Sequence, residues 1–154
     1  MKKTIILLEG PSETGKTASI RMLGNLMHQD LQTLIFKGKN WKECLEVHLL
    51  NGVKIGLSSR SDKIQTIRDG AELLMGEKGC DLVVIACNLN MKGFDILINE
   101  WESKEFEIRV VSKMPEFCNR IHREMHPLLN RRAAIRLLEE IRKTLPEQPP
   151  ALQA

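Results

Sequence analysis

The chain alternates between short continuous apolar runs and longer stretches with helical apolar spacing. Residues 4–8 form a continuous apolar run rich in isoleucine and leucine, the pattern of a strand buried on both faces of a parallel sheet. Over residues 16–29, Ile20, Leu23 and Met27 recur at helical spacing while Arg21, Asn25 and His28 take other faces, which predicts an amphipathic helix. Residues 33–36 predict a second short strand, followed by the polar loop Lys37-Gly38-Lys39-Asn40. Residues 44–50 and 53–57 flank Asn51-Gly52, a dipeptide in which both positions tolerate positive φ, so an antiparallel hairpin is expected over about residues 44–58.

The same alternation continues through the second half. Ile64, Ile67, Ala71 and Leu74 mark another helix, closed near residues 76–79, and residues 82–86 give the strongest apolar strand. Phe94, Ile98 and Trp101 predict a helix, and residues 106–111 a last strand. Pro127 separates an expected helix around residues 116–125 from another around 128–145. The sum is an α/β fold with three layers: a mostly parallel sheet, one antiparallel hairpin and helices on both faces.

The length of 154 residues suits one domain, over residues 1–145, with a frayed tail at 146–154 that carries Pro149-Pro150. Hydrophobic residues at 42% and charged residues at 28% exclude whole-chain disorder. No apolar stretch approaches the roughly 18 residues that span a bilayer or the length of a signal peptide, so a cytoplasmic protein without membrane attachment is expected. Four cysteines without a Cys-x-x-Cys pair are expected to be reduced thiols. The net charge of +3 resides in the last third, residues 103–154, with 10 basic and 7 acidic groups; between Cys118 and Arg136, Arg120, Arg123, Arg131, Arg132 and Arg136 face the single acid Glu124. That patch is too weak to support nucleic-acid binding.

One motif carries chemistry. Gly10-Pro11-Ser12-Glu13-Thr14-Gly15-Lys16-Thr17 has the spacing of glycine, four residues, glycine, lysine and threonine. A chance match in such a chain has a probability of roughly half a percent, and its place between a buried strand and a helix lowers this further. The glycines let the backbone turn sharply toward a polyphosphate, the loop amides and helix dipole attract anions, Lys16 adds a point charge and the Thr17 hydroxyl suits Mg2+. The alternative is a glycine-rich turn that binds nothing.

On this motif the chain resembles the P-loop NTPase superfamily. The resemblance implies nucleoside-triphosphate contacts along residues 10–18, from Gly10 through Pro11, Ser12, Glu13, Thr14, Gly15, Lys16 and Thr17 to Ala18. It also implies Mg2+ as cofactor, held by Thr17 and by an acid at the end of a neighbouring strand. Residues 82–86 end in the neutral Cys87-Asn88, and Asp81 stands at the wrong end, so Asp62 is the expected Mg2+ acid, with a helix cap as its alternative role. The hairpin before Asp62 is similar to that of small GTPases, but Asn88-Leu89-Asn90-Met91 lacks their guanine-reading pattern, and ATP is the default nucleotide.

The expected function is Mg2+-dependent NTP binding and hydrolysis, with Lys16, Asp62 and Arg131 as catalytic residues. Two alternatives stand beside it: a small-molecule or nucleotide kinase with an arginine-rich lid over about residues 118–136, and a nucleotide-gated module that captures a protein partner. Glu13 is a further candidate for orienting water, and Trp41 for stacking. Cys118, His122 and His126, spaced by four on one helical face, form a weak metal candidate, since three ligands on one helix seldom close a tetrahedron.

Overall fold

A computed structural model describes residues 1–9, 15–39, 43–60, 63–87, 94–112 and 126–146. Along the chain run β1 (Thr4–Glu9), α1 (Lys16–Leu31), β2 (Leu34–Lys37), β3 (Leu45–Leu50), β4 (Val53–Ser58), α2 (Ile64–Glu72), β5 (Leu82–Cys87), α3 (Phe94–Ser103), β6 (Glu107–Ser112) and α4 (His126–Thr144). A π-helical turn, Leu73–Glu77, continues α2. These boundaries lie within two residues of most expected ones. The helix expected around residues 116–125 lies outside the described residues, as does the tail beyond Pro146.

The strands form one sheet in the order β2-β3-β4-β5-β1-β6. β1 is parallel to β5 and β6, and β4 is parallel to β5. β3 alone runs against the others, pairing antiparallel with β4 and with β2. The expected hairpin is therefore present, turning through Asn51 at φ 52° and Gly52 at φ 78°. The second antiparallel pairing, β2 with β3, was not part of the sequence expectation, because an edge strand of four residues carries too little pattern to reveal its partner.

Burial explains the order. Every residue of β5 is buried, and so are residues 4–8 of β1, because each of these two strands has a sheet neighbour on both sides and helices on both faces. Odd and even positions divide between two cores. Ile6 and Leu8 pack with Ile20, Leu23 and Met27 of α1 and with Ala134, Leu137 and Ile141 of α4. Ile5 and Leu7 pack with Ile67 and Ala71 of α2, Leu74 of the π-turn, and Phe94, Leu97 and Trp101 of α3. α4 opens at His126 with Pro127 in its first turn, where a missing N–H breaks no helical bond.

The carboxyl ends of β1, β4, β5 and β6 share one edge of the sheet, and the antiparallel β3 begins there, beside the end of β2. Open α/β sheets bind ligands at that edge.

Candidate functional site

Residues 10–15 connect the carboxyl end of β1 to the amino end of α1. Gly10, Pro11, Ser12, Glu13 and Thr14 lie outside the described residues, as do Asp62, Arg120, Arg123, Trp41, Cys118 and His122. Gly15 adopts the left-handed conformation, φ 78° and ψ 27°, immediately before the first helical residue. Such a φ strains any residue with a Cβ, which accounts for glycine there. Lys16 is only 7% exposed, an unusual burial for lysine. Thr17 beside it is half-buried and Ala18 is exposed.

Charge gathers around Lys16. Glu9 and Cys87 are paired positions at the carboxyl ends of β1 and β5. Burial and the negative charge of Glu9 push the Cys87 thiol up to about 12, while Lys16 opposes them, so Cys87 is a neutral thiol within electrostatic reach of both. Ser112 of β6 donates a hydrogen bond to the Glu9 carboxylate at 2.8 Å. Glu9 is thus an acid at the loop that sequence reading passed over, because the apolar run ends at Leu8 and leaves Glu9 in the turn.

The arginine-bearing helix reaches the same end. Ser19 bonds the Gly15 carbonyl at 2.9 Å and Asn130 of α4 at 3.3 Å, which ties the second turn of α4 to the first of α1. Arg131 and Arg132 follow Asn130 and are exposed, and Arg136 donates to the Ser112 carbonyl at 3.1 Å. Arg131 therefore stands on a helix anchored to the loop's own helix.

For β4, the strand that precedes Asp62 in the chain, the topology sets a distance. β4 is two strands from β1, with β5 between, or roughly 10 Å at the usual strand spacing. The chain leaving β4 is fastened on the β3 side: Ser59 and Cys44 exchange two bonds, and Arg60 pairs with Glu43 at 2.9 Å.

A cleft of about 320 Å³ opens between α1 and the β2–β3 end of the sheet, lined by Arg21, Asn25, Lys37, Lys39, Cys44 and Glu46 among others. On its β3 wall, alternate residues form a buried polar chain that the sequence shows only as Cys-x-Glu-x-His. Cys44 donates to Glu46 at 3.6 Å, the His48 Nε2 stands 2.9 Å from the other Glu46 oxygen, and the His48 Nδ1 stands 2.7 Å from the Thr33 hydroxyl. Burial pushes the Glu46 carboxyl up, but the hydrogen bond and charge of His48, the Cys44 bond and Lys37 together hold it below its ordinary value. Burial, followed by the charge of Glu46, drives the Cys44 thiol far up, which leaves it protonated and unreactive. Gly24 of α1 lies against this carboxylate so closely that a Cβ there would stand 2.6 Å from Glu46 Oε1.

A second cavity, about 300 Å³ and lined by Lys3, Met75, Trp101 and Phe106 among others, lies at the opposite edge, remote from the loop. Among the described residues no three His, Cys, Asp or Glu side chains converge as a metal site, and no helix is long and apolar enough to cross a membrane. Comparison of the chain with protein-family models, with curated proteins and with solved structures finds no match.

Proposed function

We propose that the chain is a single-domain P-loop NTPase that binds a nucleoside triphosphate, with ATP as the first candidate, and hydrolyses it with Mg2+. The observation that carries this reading is the start of α1: the chain leaves a buried interior parallel strand at Glu9 and enters the helix at Lys16, with Gly15 left-handed and Lys16 nearly buried. A buried lysine needs negative charge nearby. A polyphosphate across the helix N-terminus would add negative charge beside it.

In this reading the loop amides and the amino end of α1 hold the phosphates, and Lys16 lies against their terminal oxygens. Thr17 would hold Mg2+, together with Asp62 or Glu9, an all-oxygen donor set of the kind that ion takes. When bound, the ion screens the phosphate oxygens and so lowers the barrier to attack by water. The water oxygen forms the new bond to the γ-phosphorus, the bond to the β-phosphate oxygen breaks, and the proton leaves to solvent. Arg131, on the helix tied to α1, would supply its guanidinium to the charge that grows in the transition state.

Titration of the chain with a fluorescent ATP analogue, with Mg2+ and with EDTA, tests the reading, and phosphate release from ATP and GTP sets the base preference. Absence of saturable, Mg2+-dependent binding would exclude it. Asp62→Asn is expected to weaken Mg·ATP by about tenfold and to leave the metal-free affinity unchanged. The cap position of α2 is Lys63, whose backbone N–H donates to the Thr66 hydroxyl at 3.2 Å, and not Asp62, for which a cap was the alternative expectation. Unchanged Mg·ATP affinity in Asp62→Asn would therefore pass the metal role to Glu9.

A further inference from the structure

α2 and α3 both come to an end at the edge of the sheet where β1, β5 and β6 begin, opposite to the loop. α2 widens there into the π-helical turn Leu73–Glu77, closed by bonds from Lys78 N–H to the Leu73 carbonyl at 3.0 Å and from Cys80 N–H to the Leu74 carbonyl at 2.8 Å. α3 wraps back on itself. Glu105 N–H donates to the Glu102 carbonyl at 2.9 Å and Phe106 N–H to the Trp101 carbonyl at 3.1 Å, the paired bonds of a Schellman motif. The left-handed position of that motif is ordinarily glycine, and here it is Glu105 at φ 63°. Single π-turns and left-handed residues that carry a Cβ both concentrate at functional sites.

These two helix ends flank one hollow of about 300 Å³. Its wall is apolar: Ala71, Met75 and Trp101 are buried, and Phe106 is half-buried. At Gly76, in the π-turn, an added Cβ would meet no atom within 4 Å, so the hollow opens beside the glycine. The rim is charged, and its charges do not cancel. Glu100 is engaged, pairing with Arg68 at 3.1 Å. Lys3, Lys104 and Glu72 make no side-chain hydrogen bond or ion pair with any described residue, which leaves two ammonium groups against one carboxylate. Exposed lysines alone are a solvated surface, and water alone is a poor filling for an apolar wall because each molecule needs polar partners. An apolar wall under a rim with one surplus positive charge matches a ligand with an apolar body and a single negative charge.

We propose that this hollow is a binding site for a small hydrophobic monocarboxylate of the arylalkanoic kind. Its ring lies against Met75, Trp101 and Phe106, and its carboxylate takes the charge of Lys3 and Lys104. Glu72 and Glu100 on the same rim disfavour a second carboxylate. A volume of about 300 Å³ is at the small end of the range for ligand pockets and suits one aromatic ring with a short acid chain. The hollow shares no residue with positions 10–18, and its occupancy is measured without nucleotide.

Trp101 is a reporter built into the wall, and the chain has one other tryptophan, Trp41. The test titrates the full chain carrying Trp41→Phe with hydrocinnamate, with its neutral twin hydrocinnamamide and with the dianion phenylsuccinate, read by Trp101 emission and by calorimetry on the unsubstituted chain. Hydrocinnamate is expected to bind saturably at millimolar concentration or below, and the amide and the dianion each tenfold or more weakly. Lys3→Gln/Lys104→Gln should bring the acid down to the level of the amide. Gly76→Met, which places a side chain in the open space, should remove binding of acid and amide alike. Both variants are checked for wild-type circular dichroism, and should Gly76→Met fail to fold, the lysine pair decides alone. The proposal is overturned if neither signal saturates with hydrocinnamate, if acid and amide bind equally, if phenylsuccinate binds more tightly than hydrocinnamate, if the lysine pair makes no difference, or if folded Gly76→Met binds as wild type does.

Discussion

Lys16→Ala is expected to lower affinity for Mg·ATP by about 100-fold, the largest binding effect of any single change in the chain. A hydrogen-bonded contact between an ammonium and a phosphate contributes up to about 3 kcal/mol, and at 7% exposure Lys16 is shielded from the solvent screening that would weaken it. Removing Lys16 should also abolish the rise in melting temperature that saturating Mg·ATP normally gives. Differential scanning fluorimetry with and without nucleotide measures this. Unchanged nucleotide affinity in a folded Lys16→Ala protein would remove the loop from the binding site.

The largest stability effect should come from His48→Ala, at about 3 kcal/mol by urea denaturation. His48 is fully buried, and its loss leaves the Glu46 carboxylate and the Thr33 hydroxyl without their mutual bridge, besides an emptied ring volume. Replacing both partners, Glu46→Met with His48→Leu, should recover much of that loss, because two apolar groups need no bridge.

The pH dependence has a definite sign. Glu46 is held below its ordinary value in the folded chain, so its contribution is complete above about pH 4.3, the usual value of a free glutamate, and is lost as pH falls through the lower folded value. Wild type should thus lose stability on acidification in that window. In His48→Ala the effect of burial is opposed only by Cys44 and Lys37, the folded carboxyl takes a proton more readily, and the gap from wild type should narrow below pH 5. A gap that is constant from pH 7 to pH 4 would mean that the cost of His48→Ala is volume alone.

Much of the framework is legible in the residues because local patterns suffice for it. Ile20, Leu23 and Met27 mark the buried face of α1, and Asn51-Gly52 marks a turn whose φ values few other pairs tolerate. What pattern cannot give is adjacency. Nothing in residues 53–58 tells that β5 will separate β4 from β1, and so the remoteness of Asp62's strand from the loop emerges only from the sheet order. The cleft escapes for a similar reason: Arg21, Lys37 and Glu46 belong to three elements, each of which reads alone as an ordinary solvated or pleated surface. Cys44, Glu46 and His48 do carry a signal, since polar groups at every second position of a strand otherwise rich in leucine and valine share a face and require partners.

The place of β1 between β5 and β6 constrains how the molecule is made. Its two flanking strands are residues 82–87 and 107–112, whereas β2, β3 and β4 find one another among near neighbours in the chain. During synthesis the meander can assemble early, while the first strand must wait for the distant ones. The junction of β1 with α1, though it precedes both sheet neighbours of β1 in the chain, gains them last, and on the proposed reading a chain truncated before residue 107 should fail to retain nucleotide.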